Sequence, residues 1–199
     1  MARKPKDAQA LPELNEIESE MSQVRSKGRF RQSLKGTLGT FLVVAAIAVI
    51  IAFILLPVLK ITNGHNMEPG LQPGDIIALY KTSEAKPGDV CAFYFNNKLL
   101  LRRIIAQGGD TVEIDEHGYV KVNGEILEEN DYISEHALGQ CDIEFPYRVP
   151  IGQYFVLGDN RDYALDSRAT NFGCIAQEDI YGKPLVRIYP FSSLTWYGF

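Results

Sequence analysis

The strongest constraint on this chain is a run without a single charge, Leu38 to Leu59, reading LGTFLVVAAIAVIIAFILLPVL. As a helix its 22 residues span about 33 Å, the thickness of a bilayer's hydrocarbon core. A buried core helix of that length would normally show a polar face, and this run has none. It begins too far into the chain and runs too long for a cleaved signal peptide. Val58-Leu59-Lys60 is also no small-x-small cleavage site. The expectation is one uncleaved transmembrane anchor over residues 37–59. Arg25, Lys27, Arg29, Arg31 and Lys35 crowd its N-terminal side, which predicts a single-pass protein of the cytoplasmic membrane. Residues 1–36 are then a cytoplasmic tail and residues 60–199 an extracytoplasmic domain.

Charge divides the same way. Residues 1–36 carry eight Lys and Arg against five Asp and Glu, whereas residues 60–199 carry twelve against twenty. The acidic exported part has no basic stripe able to neutralise phosphates, which excludes nucleic acid as a partner. No metal cluster, phosphate loop or nucleotide fingerprint is present, so no cofactor is expected. Cys91, Cys141 and Cys174 all lie beyond the anchor. Cys91 sits in an apolar run and reads as a small buried hydrophobe, leaving Cys141 and Cys174 as the pair an oxidising compartment would join. A thiol nucleophile is the sharper alternative, but no cysteine has an adjacent His.

After the anchor, short runs of Ile, Val, Leu, Tyr and Phe are punctuated by Gly, Pro and Asp, the pattern of an all-β domain. Strands are expected at residues 75–80, 89–95, 99–106, 111–115, 119–122, 154–157 and 184–189. Asn123-Gly124 reads as a two-residue hairpin turn. The dipeptide Gly-Asp recurs at Gly74-Asp75, Gly88-Asp89, Gly109-Asp110 and Gly158-Asp159. The first three read as turns, with Gly supplying a positive φ and Asp bonding its following backbone. The fourth opens a denser segment, Gly158-Asp159-Asn160-Arg161-Asp162 followed by Asp166-Ser167-Arg168. Polar side chains packed this closely after an apolar strand hold a loop in one shape, often beside an active site. Trp196-Tyr197-Gly198-Phe199 suits either a membrane–water interface or a strand end packed on the core.

Three segments together resemble the type I signal peptidases, membrane-anchored serine endopeptidases that remove signal peptides from exported proteins. They are Gly64-His65-Asn66-Met67-Glu68-Pro69-Gly70-Leu71 with Pro73-Gly74-Asp75, then Leu101-Arg102-Arg103-Ile104-Ile105-Ala106 with Gly109-Asp110, and the segment from Gly158 to Arg168. The resemblance implies a signal-peptidase-like β domain, with Met67, Pro69, Arg103, Gly158, Asp159, Asn160, Arg161, Asp166, Ser167 and Arg168 as the scaffold of the site. It also implies a missing dyad. The nucleophilic Ser precedes the Met, where this chain has Asn66, and the general-base Lys precedes the Arg, where it has Arg102. The Ser that orients the lysine is here Ala164. An uncharged lysine can accept a serine's proton, whereas a guanidinium stays charged and offers no lone pair. A carboxamide is no nucleophile at neutral pH either.

His65, beside Asn66, is the obvious candidate for another base, with Thr62, Ser134, Ser167 and the cysteines as the available nucleophiles, and nothing in the spacing pairs any of them with it. Arg102 is expected to find a carboxylate and, with Asn66, to fill the old site as a structural plug. The expected function is a non-catalytic pseudopeptidase that binds exported or signal-peptide-like segments. Signal-peptidase-like proteins lacking the dyad take part in pilus assembly in Gram-positive bacteria, so a pilin or a sortase is the expected partner. The alternative is an active signal peptidase that processes secreted preproteins by another arrangement.

Overall fold

The computed structural model describes residues 36–51, 56–62 and 64–197. The chain divides into two compact units, Met1–Ala52 and Phe53–Phe199. In the first, residues 36–51 are helical. Among the described residues no helix is long and apolar enough to cross a membrane. Residues 52–55 of the expected span, like the tail 1–35, lie outside the described residues.

The C-terminal end of the expected anchor is corrected. Val58–Lys60 is strand β1, not helix. Pro57 brings no N–H, and its carbonyl accepts the Leu79 N–H at 2.8 Å. Val58, Leu59 and Lys60 then pair with Ala78, Ile77 and Ile76. In the sequence Val58 and Leu59 simply continue the apolar run that begins at Leu38, so the strand has no signal of its own.

The second unit is all antiparallel β. Its strands are β1, β2 (Ile76–Tyr80), β3 (Val90–Phe95), β4 (Lys98–Gln107), β5 (Thr111–Ile114), β6 (Val120–Val122), β7 (Glu125–Ile126), β8 (Tyr147–Arg148), β9 (Gln153–Leu157), β10 (Ile175–Ala176), β11 (Ile180–Tyr189) and β12 (Thr195–Trp196). The larger sheet runs β1-β2-β11-β3-β4-β9-β10, with β12 added to β11, and the smaller runs β7-β6-β5-β8. All seven expected strands are present, the last of them longer, because β11 begins at Ile180. Its Pro184 stands at a shift of register against β2, where a missing donor is tolerated.

The turns carry the punctuation. Asn123 and Gly124 have φ of 54° and 85°, the left-handed pair that a tight hairpin needs. Gly74, Gly88 and Gly109 have φ of 96°, 96° and 98°. In each case the next Asp reaches back rather than forward: Asp75, Asp89 and Asp110 accept the N–H of Gln72, Lys86 and Gln107 at 3.0, 3.0 and 2.9 Å. The fourth Gly-Asp pair does something else, described below.

Three apolar clusters flank the strands. One gathers Phe93, Ile104, Val156 and Phe172. A second joins Ile105, Val112, Val120 and Phe155 across to the smaller sheet. A third holds Met67 and Leu71 against Ile77, Leu79 and Leu101. β4 therefore feeds all three, and Arg102 and Arg103 stand in it between Leu101 of the third cluster and Ile104 of the first.

Candidate functional site

The turn after β1 places Asn66. Met67 and Leu71 are buried and joined by a hydrogen bond from the Leu71 N–H to the Met67 carbonyl at 2.8 Å. Two apolar anchors in the core thus hold the intervening turn, leaving Asn66 half-buried and Pro69 and Gly70 exposed. The Asn66 carbonyl accepts the N–H of Asn160 at 3.1 Å, which ties the first segment to the third. Gly158 marks where they touch: a Cβ there would lie 2.2 Å from the Ala164 Cβ and 2.6 Å from the Asn66 carbonyl oxygen. Asn66 and Ala164, far apart in sequence, face each other across a glycine that has no room to be anything else.

Arg102 is 3% exposed. Its Nε and one terminal nitrogen donate to the Leu165 carbonyl at 3.0 and 2.6 Å, and the other terminal nitrogen donates to the Leu101 carbonyl at 2.6 Å. The ring of Phe172 lies 5.9 Å from the guanidinium carbon. The expectation of a carboxylate partner is therefore overturned. Asp166 and Asp159 are already engaged, the first by Arg168 and the second by Arg103, so carbonyl dipoles answer the Arg102 charge. Burial pulls its pKa down to about 10, while Asp166 holds it up. At neutral pH the group is still charged and cannot accept a proton.

The neighbouring Arg103 makes the pair that sequence reasoning gave to Arg102. Its Nε and a terminal nitrogen grip Asp159 at 2.8 and 2.7 Å in a bidentate fork, and its remaining nitrogen reaches the Gly88 carbonyl at 2.9 Å. Burial works against this guanidinium, but the Asp159 hydrogen bonds and charge outweigh it and hold Arg103 above its ordinary value. Burial likewise pushes the Asp159 carboxyl up, against the pull of Arg103.

The remaining scaffold residues lock their own loop. Asp166 accepts the Gly158 N–H at 3.0 Å and pairs with Arg168, whose other donors reach the Leu138 and Ala137 carbonyls. Ser167 accepts the Val156 N–H at 2.9 Å and donates to the Gly173 carbonyl at 2.8 Å, so it is not a spare nucleophile. Arg161, 2% exposed, pairs with Glu129 at 3.0 and 2.5 Å and donates its Nε–H to the Gly158 carbonyl. Sequence reasoning missed Glu129 and Tyr132, whose hydroxyl donates to Glu129 at 2.8 Å. Nothing marks them in a stretch already rich in carboxylates.

The alternatives to the dyad do not assemble. His65 is exposed and its Nδ1 meets Glu68 at 2.7 Å. Thr62 and Ser134 are exposed; Ser134 lines a small cavity with Glu68, but among the described residues no hydrogen bond joins His65 to either hydroxyl. All three cysteines are free, so the expected Cys141–Cys174 bridge is absent. Cys174 lies instead against the Tyr147 hydroxyl and Cys141 against the Ile143 carbonyl. Burial, then the charge of Asp89, pushes the Cys91 thiol up to about 12, which keeps it protonated. Among the described residues no group of His, Cys, Asp and Glu could hold a metal ion. Beside the site a cavity of about 570 Å³ is lined by Gly70, Leu71, Val90, Arg103, Asp159 and Lys183. All three segments contribute to it.

The chain is similar in sequence to known proteins. The family model described as signal peptidase, peptidase S26, matches residues 34–189. Signal peptidase IB of Staphylococcus aureus (strain MRSA252) is 34% identical over 154 residues, covering 67% of this chain and 78% of that protein. Signal peptidase I of Bacillus licheniformis is 32% identical over 165 residues, covering 74% of this chain and 88% of that protein. A crystal structure of a signal peptidase I from Enterococcus faecalis V583 aligns with 50% of this chain and 96% of its own at 28% identity, with a TM-score of 0.41. With a match over most of its length, this chain belongs to the signal peptidase family, peptidase S26.

Proposed function

We propose that this protein is a non-catalytic signal peptidase homologue that binds exported or signal-peptide-like segments at the outer face of the cytoplasmic membrane. The observation that carries the reading is Arg102. A buried guanidinium tied to the Leu165 and Leu101 carbonyls stands where the family has its general base. A lysine can lose its proton in such a place at neutral pH and a guanidinium cannot. Asn66 offers a carboxamide where the attack on the peptide carbonyl would begin. The surrounding scaffold keeps its hydrogen bonds, and a cavity of about 570 Å³ adjoins it, which favours retained binding over simple decay.

In this reading the uncharged helix of residues 36–51 belongs to a single-pass anchor with the N-terminus in the cytoplasm. The partner is a segment of an exported protein, and the resemblance to dyad-lacking proteins of pilus assembly makes a pilin, with its sortase, the first to test. The test is cleavage of a purified preprotein in detergent micelles. The wild type, Asn66→Ser with Arg102→Lys, and that pair with Ala164→Ser are compared. An inert wild type that still binds the preprotein agrees with the proposal. Cleavage by the wild type at the signal site overturns it in favour of an active signal peptidase with an unrecognised nucleophile.

A further inference from the structure

The acidic loop between β7 and β8 reaches into the site through two side chains that lie outside all three family segments. The N–H groups of Tyr132 and Ile133 both return to the Glu129 carbonyl, at 3.2 and 3.3 Å, closing a turn that aims Glu129 and Tyr132 the same way. Glu129 is 1% exposed, takes both ends of Arg161 and accepts the Tyr132 hydroxyl. The ring of Tyr132 lies 3.9 Å beneath the guanidinium carbon of Arg103. Arg103 grips Asp159, and Arg161 Nε donates to the carbonyl of Gly158, the residue before it.

These contacts form a closed ring: Asp159, Arg103, Tyr132, Glu129, Arg161, Gly158 and back through the peptide bond. Every member is buried or half-buried. The next residue, Asn160, holds the Asn66 carbonyl. Burial, reinforced by the charge of Glu129, pushes the Tyr132 phenol well up, so its hydroxyl remains a donor.

We infer that Glu129 and Tyr132 are positioning residues, a clip by which the smaller sheet's loop sets the turn 158–160 and, through it, Asn66 and the peptide-binding cleft. The inference rests on the proposed binding function for its affinity readout, but its structural part stands alone. A ring closed through two guanidinium groups fixes orientation at both ends, because each fork is planar and each donor is already assigned. Loosening one link lets the turn rotate without unfolding the sheet.

The mild variant is Tyr132→Phe, which keeps the ring under Arg103 and removes the hydroxyl. Glu129→Gln is the severe one and is expected to compromise folding by leaving Arg161 uncompensated. The full chain is measured in micelles. The readouts are the side-chain N–H resonances of Arg103 and Arg161, the amide resonances of Asn66, and binding of a fluorescein-labelled synthetic signal peptide. Tyr132→Phe should keep the wild-type fold, shift both arginine resonances and Asn66, and weaken peptide binding by about threefold to thirtyfold. Tyr147→Phe in the same sheet, whose hydroxyl lies against Cys174, should change none of them.

Unchanged arginine resonances in Tyr132→Phe would overturn the clip. Shifted arginines with an unmoved Asn66 would overturn the positioning role. If the wild type binds no peptide, the binding proposal fails instead, and the Asn66 resonances still decide the clip.

Discussion

Arg102 is a buried charge answered by carbonyl dipoles, and that has a stability consequence. Because burial lowers its pKa to about 10, the unfolded chain holds the proton more tightly than the folded one. Stability from this group therefore rises with pH between about 10 and the ordinary guanidinium value, and the penalty is fully present at neutral pH. Removing the charge while keeping the bulk is expected to cost little: Arg102→Met should lie within about 1 kcal/mol of wild type by chemical denaturation in micelles. Arg102→Met strips the donors from the Leu165 and Leu101 carbonyls just as Arg102→Ala does, so the cavity is what separates them, and Arg102→Ala should cost about 2–4 kcal/mol. Equal losses would mean that the charge itself holds the loop. Cys91 offers a second residue-scale check. With its thiol pushed up to about 12, only about one molecule in ten thousand is a thiolate at pH 8. Iodoacetamide should leave Cys91 unmodified in the native protein and label it once denaturant is added. The segments that carry Asn66, Arg102 and Ala164 were legible as motifs in the sequence. The true partner of Arg102 was not, since a backbone carbonyl carries no sequence signature.

At the scale of elements, the loop after β9 is shaped by a glycine that touches two segments at once. Gly158→Ala places a methyl 2.2 Å from the Ala164 Cβ and 2.6 Å from the Asn66 carbonyl, so Asn66 and Ala164 must part. The overpacking should cost about 1–3 kcal/mol and abolish peptide binding. Gly124→Ala is the contrast, because nothing lies within 4 Å and the strain comes only from its φ of 85°. A loss of about 1 kcal/mol in thermal unfolding, with binding intact, is expected there. The long strands were readable because four or more residues of alternating or continuous apolar character survive as a period. β7, β8, β10 and β12 have two residues each, too short for any period, and their pairing is imposed by neighbours. β1 was hidden differently: its Val and Leu continue the apolar run of the sequence without a break, and only the ladder with β2 reveals them. The three Gly-Asp turns were legible as turns, but the direction in which the Asp closes them depends on backbone geometry that the dipeptide does not encode.

For the whole molecule, charge is sorted along the chain in three blocks. The tail 1–36 is basic, the stretch 107–150 carries eleven Asp and Glu against two Lys and Arg, and the rest of residues 60–199 is nearly balanced, with nine against ten. The acidity of residues 60–199 therefore belongs almost wholly to the smaller sheet and its loops, and the larger sheet is close to neutral. Orientation across a membrane is set by Lys and Arg close to the span rather than by acidic residues far from it. Arg25, Lys27, Arg29, Arg31 and Lys35 should thus decide which side the β unit occupies, whatever the charge of residues 107–150. In protoplasts, external protease should remove an epitope fused after Phe199 and spare one fused before Met1. Replacing those five basic residues by Asn should reduce the fraction of chains in that orientation, while neutralising Asp115, Glu116, Glu125 and Glu128 should leave it unchanged. Digestion of the N-terminal epitope in the unsubstituted protein would overturn the proposed topology, and protection of both epitopes would place the β unit inside the cell, where exported segments are not met after translocation.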